Sequence, residues 1–206
     1  MRLACFVIVA SLCMVRTAHG AAGDPALFQE SYDQEAVGKN QEALSALDRL
    51  SAEQNGSYVA LLRKGWLRYR LGKHAPAIEA YAKAIALTPK AVEPRLGILL
   101  PLLATKQWAG LEKHARDLLK LDPESYLGTL RLAFALYNES KLVEARALYQ
   151  KVVDAYPSDP EARAGLGWAL LKLHKNKAAA EAFRAVLDFA PKNALAQQGL
   201  AALDRK

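Results

Sequence analysis

The stretch from Pro160 to Pro191 alternates apolar and polar positions with a helical period, and the same pattern returns along the chain. Its first half sets Leu166, Leu170 and Leu171 at helical spacing, and its second half sets Ala179, Phe183, Val186 and Leu187 on one helical face. The polar segment Leu173-His174-Lys175-Asn176 lies between them, so the pattern predicts a helical hairpin. Pro191 lacks an N–H and restricts the residue before it, which stops the second helix near Ala190. Equal steps back from Pro191 reach Pro157, Pro123 and Pro89, and then Asn55, where turn chemistry persists without the proline.

A helix–turn–helix unit repeated at this period, about 34 residues, resembles the tetratricopeptide repeat family. Its Leu-Gly pair is matched by Leu166-Gly167, the small residue of the second helix by Ala179, the aromatic four later by Phe183, and the closing proline by Pro191. Ala145, Tyr149, Val152 and Pro157 hold the same places one register earlier, as do Ala77, Tyr81, Ala84 and Pro89 before them. Leu111 and Ala115 replace the small residue and the aromatic in the third unit, and Leu47 replaces the aromatic in the first. The units run 24–57, 58–91, 92–125, 126–159 and 160–193, with a cap at 194–206. The resemblance implies an all-α fold: a right-handed superhelical solenoid of tandem helix-turn-helix hairpins closed by a C-terminal capping helix. A single hairpin cannot bury its own apolar face, so neighbouring units must stack into one continuous core and one domain.

Local signals refine this outline. Asp24-Pro25 and Asp159-Pro160 read as helix N-cap and first-turn pairs. Gly38 and Gly72 mark inter-helix turns, and Gly65 suits a close approach of paired helices. The polar run Ser51 to Ser57 has no proline, so the second helix of the first unit is expected to fray early. Pro101 falls inside a first helix, where a kink would form unless Gly97, four residues back, relieves it. Trp108 falls in the turn of the third unit, and Leu195, Leu200 and Leu203 give the cap an apolar edge.

In the resembled family the first helices line a concave face, so equivalent positions in them form stripes. One stripe is Tyr32, Trp66, Leu100, Phe134 and Trp168; a second is Phe28, Leu62, Leu96, Leu130 and Ala164; Tyr69 and Tyr137 sit three residues beyond the first. An apolar, aromatic groove of this kind fits a helix or an extended apolar segment of a partner protein. The same side chains could instead pack one first helix against the next, and both readings stand at this point. The Lys and Asn clamp with which some family members hold a C-terminal carboxylate is missing from these places.

The chain opens with Arg2, an apolar run from Leu3 to Val15, and Ala18-His19-Gly20, which together read as a secretory signal cleaved after residue 20, with an uncleaved anchor as the alternative. Leu12 before Cys13 does not fit a lipoprotein site. Both cysteines would leave with the signal, so disulfides, thiolate metal sites and thiol catalysis would leave with them. No stable membrane span would remain. The rest of the chain carries 26 basic against 21 acidic residues, scattered without a run, which argues for a solvated face rather than a nucleic-acid patch.

Nothing in the sequence calls for catalysis, a metal or a cofactor. His74, His114 and His174 fall on separate units, and there is no phosphate loop or nucleophile elbow. Asp122, Glu124, Asp154, Asp159 and Glu161 cluster at inter-unit turns, where helix capping accounts for them. The expected function is an exported scaffold binding a protein partner, as a component of a cell-envelope assembly. The alternative is an envelope glycan-binding module whose rings stack on sugars; binding through charge would then weaken with salt.

Overall fold

The computed structural model describes residues 24–204, which form twelve α-helices and no strand. They are α1 (Asp24–Ala36), α2 (Asn40–Asp48), α3 (Ala52–Asn55), α4 (Tyr58–Arg70), α5 (His74–Leu87), α6 (Glu93–Ala104), α7 (Trp108–Leu121), α8 (Tyr126–Asn138), α9 (Leu142–Ala155), α10 (Pro160–Lys172), α11 (Asn176–Phe189) and α12 (Ala194–Leu203). Residues 1–23 and 205–206, including the expected signal, lie outside the described residues.

Helices pair as α1/α2, α4/α5, α6/α7, α8/α9 and α10/α11, and each second helix packs on the first helix of the next pair. The first helices α4, α6, α8 and α10 also touch in succession, ending on α12, which builds a right-handed superhelical solenoid. A left-handed residue closes every hairpin turn at the same register: Gly38, Gly72, Lys106, Ser140 and His174, with φ from 56° to 78°. Only the first two are the residue type that adopts this conformation without steric cost.

The turns between hairpins are sealed by a second periodic device. Arg95, Arg163 and Gln197 each stand six residues past a closing proline and donate a side-chain hydrogen bond to the carbonyl of Pro89, Pro157 and Pro191 at 2.7, 2.7 and 2.9 Å. At the remaining turn Thr129 occupies that position, and Lys151 reaches Pro123 O from α9 at 3.2 Å. These bonds satisfy carbonyls that no helix pairs.

Packing between hairpins follows one rule of volume. The second-helix position of Leu47, Tyr81, Ala115, Tyr149 and Phe183 faces, at one fixed offset back and ahead, the first helices on either side. Tyr81 lies between Gly65 and Gly97, and a Cβ at either glycine would come within 3.0 Å of its ring. Phe183 lies in the same way between Gly167 and Gly199, with the same crowding. In the third hairpin the knob shrinks to Ala115, and the corresponding positions grow to Leu99 and Arg131. Interiors pack near crystal density, so a large ring needs small neighbours and a small knob needs large ones.

Several sequence expectations change here. Gly97 also makes room for the Tyr81 ring, and α6 runs unbroken through a buried Pro101. The Asp24 carboxylate accepts hydrogen bonds from Ser51 N and Oγ at 2.8 and 2.5 Å, tying the head of α1 to the end of the first hairpin. Of the five turn carboxylates only Asp159 caps a helix, accepting from Glu161 N and Ala162 N. Ser57, Ser125 and Asn193 cap α4, α8 and α12 instead, because a short side chain at the N-cap reaches the N3 amide. Glu124 pairs with Lys151 and Glu161 with Arg131. Early fraying in the first unit takes the form of a nine-residue α2 followed by the single-turn α3.

Candidate functional site

The stripe positions share one face but not one environment. Leu130 is 1% exposed and Ala164 fully buried, so these two belong to the core and are not available to a partner. Leu62 and Leu96 are half-buried and pack on the main core, which spends most of their surface between repeats. Phe28 is half-buried against a separate, smaller cluster of Leu27, Ala43, Leu44, Leu47, Leu50, Ala60 and Leu67. Leu100 stays half-buried.

At the N-terminal end the rings are engaged by charge. Arg63, only 8% exposed, lays its guanidinium 3.4 Å from the centroid of the Tyr32 ring while donating to Ser31 Oγ at 2.9 Å and to Glu35 at 3.1 Å. The Trp66 indole donates to the other Glu35 oxygen, Arg70 lies 5.4 Å over the Trp66 ring, and Tyr69 sits tilted against Trp66 at 6.0 Å and against His74 at 5.9 Å. Lys64 is buried beside them, bonded to Asp48 and Asn55. Arg63 and Lys64 had no signal in the pattern, because adjacent charged residues on a helix read as a solvated edge, whereas here they share the buried side with Ala60 and Leu67.

At the C-terminal end the rings enclose a cavity of about 260 Å³ bounded by Phe134, Tyr137, Tyr149, Trp168, Leu195 and Glu161. Three helices supply the walls: α8 gives Phe134 and Tyr137, α10 gives Glu161 and Trp168, and α12 gives Leu195. Trp168 is held by an edge contact with Phe183 at 5.6 Å and by donating its indole N–H to Leu195 O at 3.2 Å. Phe134 is braced by Trp108 at 5.7 Å, edge to face. Trp108 is therefore the first residue of α7 and part of the wall's support, not an isolated turn residue. Lys172 Nζ stands 4.2 Å from the centroid of Tyr137, whose phenol is pushed above its ordinary range by burial. Tyr149 forms the floor, 2% exposed, packed against the glycine face of Gly165. Burial, with the charge of Glu161 beside it, raises the Tyr149 phenol as well, so it stays a neutral hydroxyl.

The described residues hold no cluster of three His, Cys, Asp or Glu side chains able to bind a metal, and no helix among them is long and apolar enough to cross a membrane. His174 lies exposed in its turn, while His114 is half-buried and its proton affinity is lowered by that burial.

Two family profiles described as tetratricopeptide repeat match residues 28–92 and 136–203, together well over half of the chain. The chain is a tetratricopeptide repeat protein. No curated protein matches it in overall sequence. Among solved structures, MamA from Desulfovibrio magneticus is similar with a TM-score of 0.77 and 20% identity, over 83% of this chain and 97% of that one. YrrB, described as a TPR protein with an unusual peptide-binding site, is similar at 0.75 and 16% identity, over 85% and 90%. A tetratricopeptide repeat protein of Parabacteroides merdae gives 0.77 and 17% identity, over 87% and 72%. These likenesses fix the fold of the present tetratricopeptide repeat protein, and the family is in general non-catalytic.

Proposed function

We propose that this tetratricopeptide repeat protein is an exported scaffold that holds a protein partner on its concave face, as part of a cell-envelope assembly. The observation that carries the reading is the half-open aromatic cavity between α8, α10 and α12. Large rings left partly in water are costly unless something covers them, and aromatic anchors dominate protein interfaces. That YrrB, alike in fold, is described as having a peptide-binding site supports the same use of the scaffold. Export rests on the sequence of residues 1–20.

The test is crosslinking in the envelope fraction with the intact protein and with Trp168→Ser. The expected result is a crosslinked species whose yield falls at least about fivefold in the variant, the scale of an interface hot spot of about 1 kcal/mol or more. Its urea midpoint should fall by less than the truncation of a fully buried ring would cause. A collapsed midpoint without any change in crosslinking would assign Trp168 to the core alone. Mass spectrometry of the exported pool should find the chain starting at or near Ala21; intact Met1 there would refute export with cleavage.

A further inference from the structure

Along the aromatic stripe the chain sets its own cations on the rings. Arg63 lies 3.4 Å from the centroid of Tyr32, Arg70 lies 5.4 Å from that of Trp66, and Lys172 lies 4.2 Å from that of Tyr137. Among the described residues no cation covers Phe134 or Trp168, and these two rings wall the cavity of about 260 Å³ between α8, α10 and α12. The repeat register explains the space. The step along the chain from Tyr32 to Arg63, taken from Phe134, reaches Gly165, which lines the cavity and has no side chain to fill it. Gly165 is held small by the Tyr149 ring, which a Cβ there would meet at 2.5 Å. The place that a guanidinium takes beside the first ring of the stripe is thus open beside Phe134.

The lining selects the kind of cation. Phe134, Tyr137, Tyr149 and Trp168 surround the space, and Glu161 is the charged residue among its walls. The face of an aromatic ring carries negative charge density and attracts a cation, most strongly one that sheds water easily. Glu161 pairs with Arg131, but the two do not cancel at the floor: the Tyr149 phenol is raised by burial first and by Glu161 next, with Arg131 opposing more weakly. The balance of charge felt there is negative. A primary ammonium would bring three N–H donors, and Glu161 already accepts from Arg131, so a cation without donors is the better match. The cavity is also smaller than those that take drug-sized molecules, which suits a headgroup.

We propose that this cavity is a binding site for a quaternary ammonium group, a trimethylammonium headgroup of the choline type, set against the rings of Phe134 and Trp168 with Glu161 as its counter-charge at the rim. This goes beyond the partner-binding reading and does not depend on it. The two rings that the chain leaves bare receive their cation from the ligand, as Tyr32 receives one from Arg63. Lys172, beside Tyr137 but outside the lining, opposes the bound charge and limits its affinity.

The experiment follows the indole N–H signals of the three tryptophans in the ¹⁵N-labelled protein at low ionic strength. The probes are choline, its uncharged isostere with a tert-butyl group in place of trimethylammonium, and ethanolamine, which carries a primary ammonium. Millimolar choline should move the Trp168 signal and spare that of Trp66. The isostere and ethanolamine should each bind at least about fivefold more weakly. Phe134→Leu, which keeps an apolar wall, should weaken choline by about three- to thirtyfold and leave the isostere within about twofold. Glu161→Gln should weaken choline alone, and Lys172→Gln should strengthen it by about two- to fivefold, a gain that added salt removes. Sedimentation of the protein with phosphatidylcholine vesicles, reversed by free choline, would make a bilayer headgroup the source. Choline binding without sedimentation would make it a free solute, and either result upholds the site. Equal binding of choline and its isostere, or a Trp168 signal that choline does not move, would overturn the proposal and leave the crosslinking test of the scaffold untouched. Loss of that crosslinking with choline binding intact would reject the partner reading alone.

Discussion

In the repeat register Leu47 stands between Ser31 and Arg63 at the first junction of the solenoid, and Phe183 stands between Gly167 and Gly199 at the last. The last junction is a ring driven into two glycine gaps, continuous with a core that runs from Tyr81 to Ala196. The first has its own small apolar cluster and closes the remaining space with polar groups: Arg63 on Ser31 and Glu35, and Lys64 on Asp48 and Asn55. One backbone geometry thus accepts two solutions. An apolar knob stabilises by area and shape, whereas a buried ion network roughly offsets its own desolvation and is expensive only when half of it is removed. The first hairpin should therefore be the part that opens alone.

The largest effect is expected at the last junction. Phe183→Ala should cost about 3–5 kcal/mol by urea unfolding, since the ring is fully buried and its glycine neighbours offer nothing to refill the space. Gly199→Leu alone should also destabilise, because even a Cβ there would overlap the ring. Combined, the two should recover more than about 1 kcal/mol relative to their sum, as coupled neighbours do. Simple additivity would show that the knob and its gaps are not one packing unit.

Arg63→Met breaks the first junction more gently, by about 1–3 kcal/mol, because it leaves the fully buried Ser31 hydroxyl without its partner and Glu35 with the Trp66 indole alone. The loss should be local. Hydrogen exchange should show α1 and α2 unprotected while α8 to α11 keep their native rates. Uniform loss of protection along the chain would contradict two separate cores.

Between the two junctions, α7 is tied to the α8–α9 turn and to α9 by charge. The hydrogen bonds from Lys141 and Arg116 hold the Glu112 carboxyl down to about 2 from the ordinary 4.5. A carboxyl whose affinity for protons is depressed by folding contributes stability above its unfolded pKa and loses it as pH falls through the folded one. Stability should therefore decline between about pH 4.5 and pH 2 through this group. Because Lys141 and Arg116 are more than a third exposed, the contribution is about 1 kcal/mol or less. Glu112→Gln should flatten that part of the pH profile, and an unchanged profile would assign acid sensitivity to other carboxylates.

The period and the hairpins were legible because proline, glycine and apolar spacing recur at one fixed interval. So was the aromatic character of Trp66, Phe134 and Trp168. Their separation into a charged end and a cavity end was not, since it depends on which neighbour completes each ring: Glu35 for Trp66, Trp108 for Phe134, Leu195 for Trp168. Leu130 reads like its stripe mates yet is core, since periodicity places a side chain on a face without saying how closely the next helix covers that face. The knob rule lay in the sequence too, as the exchange of Tyr-with-glycines for Ala115 with Leu99 and Arg131, but its meaning needs the offset between facing positions that only the stacked helices reveal.

The smallest effects separate the two ends by their turns. All five hairpins need a left-handed residue at one position, and the first two supply Gly38 and Gly72, at φ 78° and 71°. The last three supply Lys106, Ser140 and His174 at 56°, 63° and 59°, where the Cβ crowds the backbone at a cost of about 1–2 kcal/mol. Glycine also loses more freedom on folding, which offsets part of any gain. Lys106→Gly, Ser140→Gly and His174→Gly should each still stabilise by about 0.5–1 kcal/mol, while Gly38→Ala and Gly72→Ala should destabilise by about 1 kcal/mol. A Cβ at either glycine would meet nothing within 4 Å, so steric contact with neighbours cannot supply the loss and only the backbone can. If Gly72→Ala left the urea midpoint unchanged, the left-handed turn would not be the strained element, and the three non-glycine turns would need another reason to fold as they do.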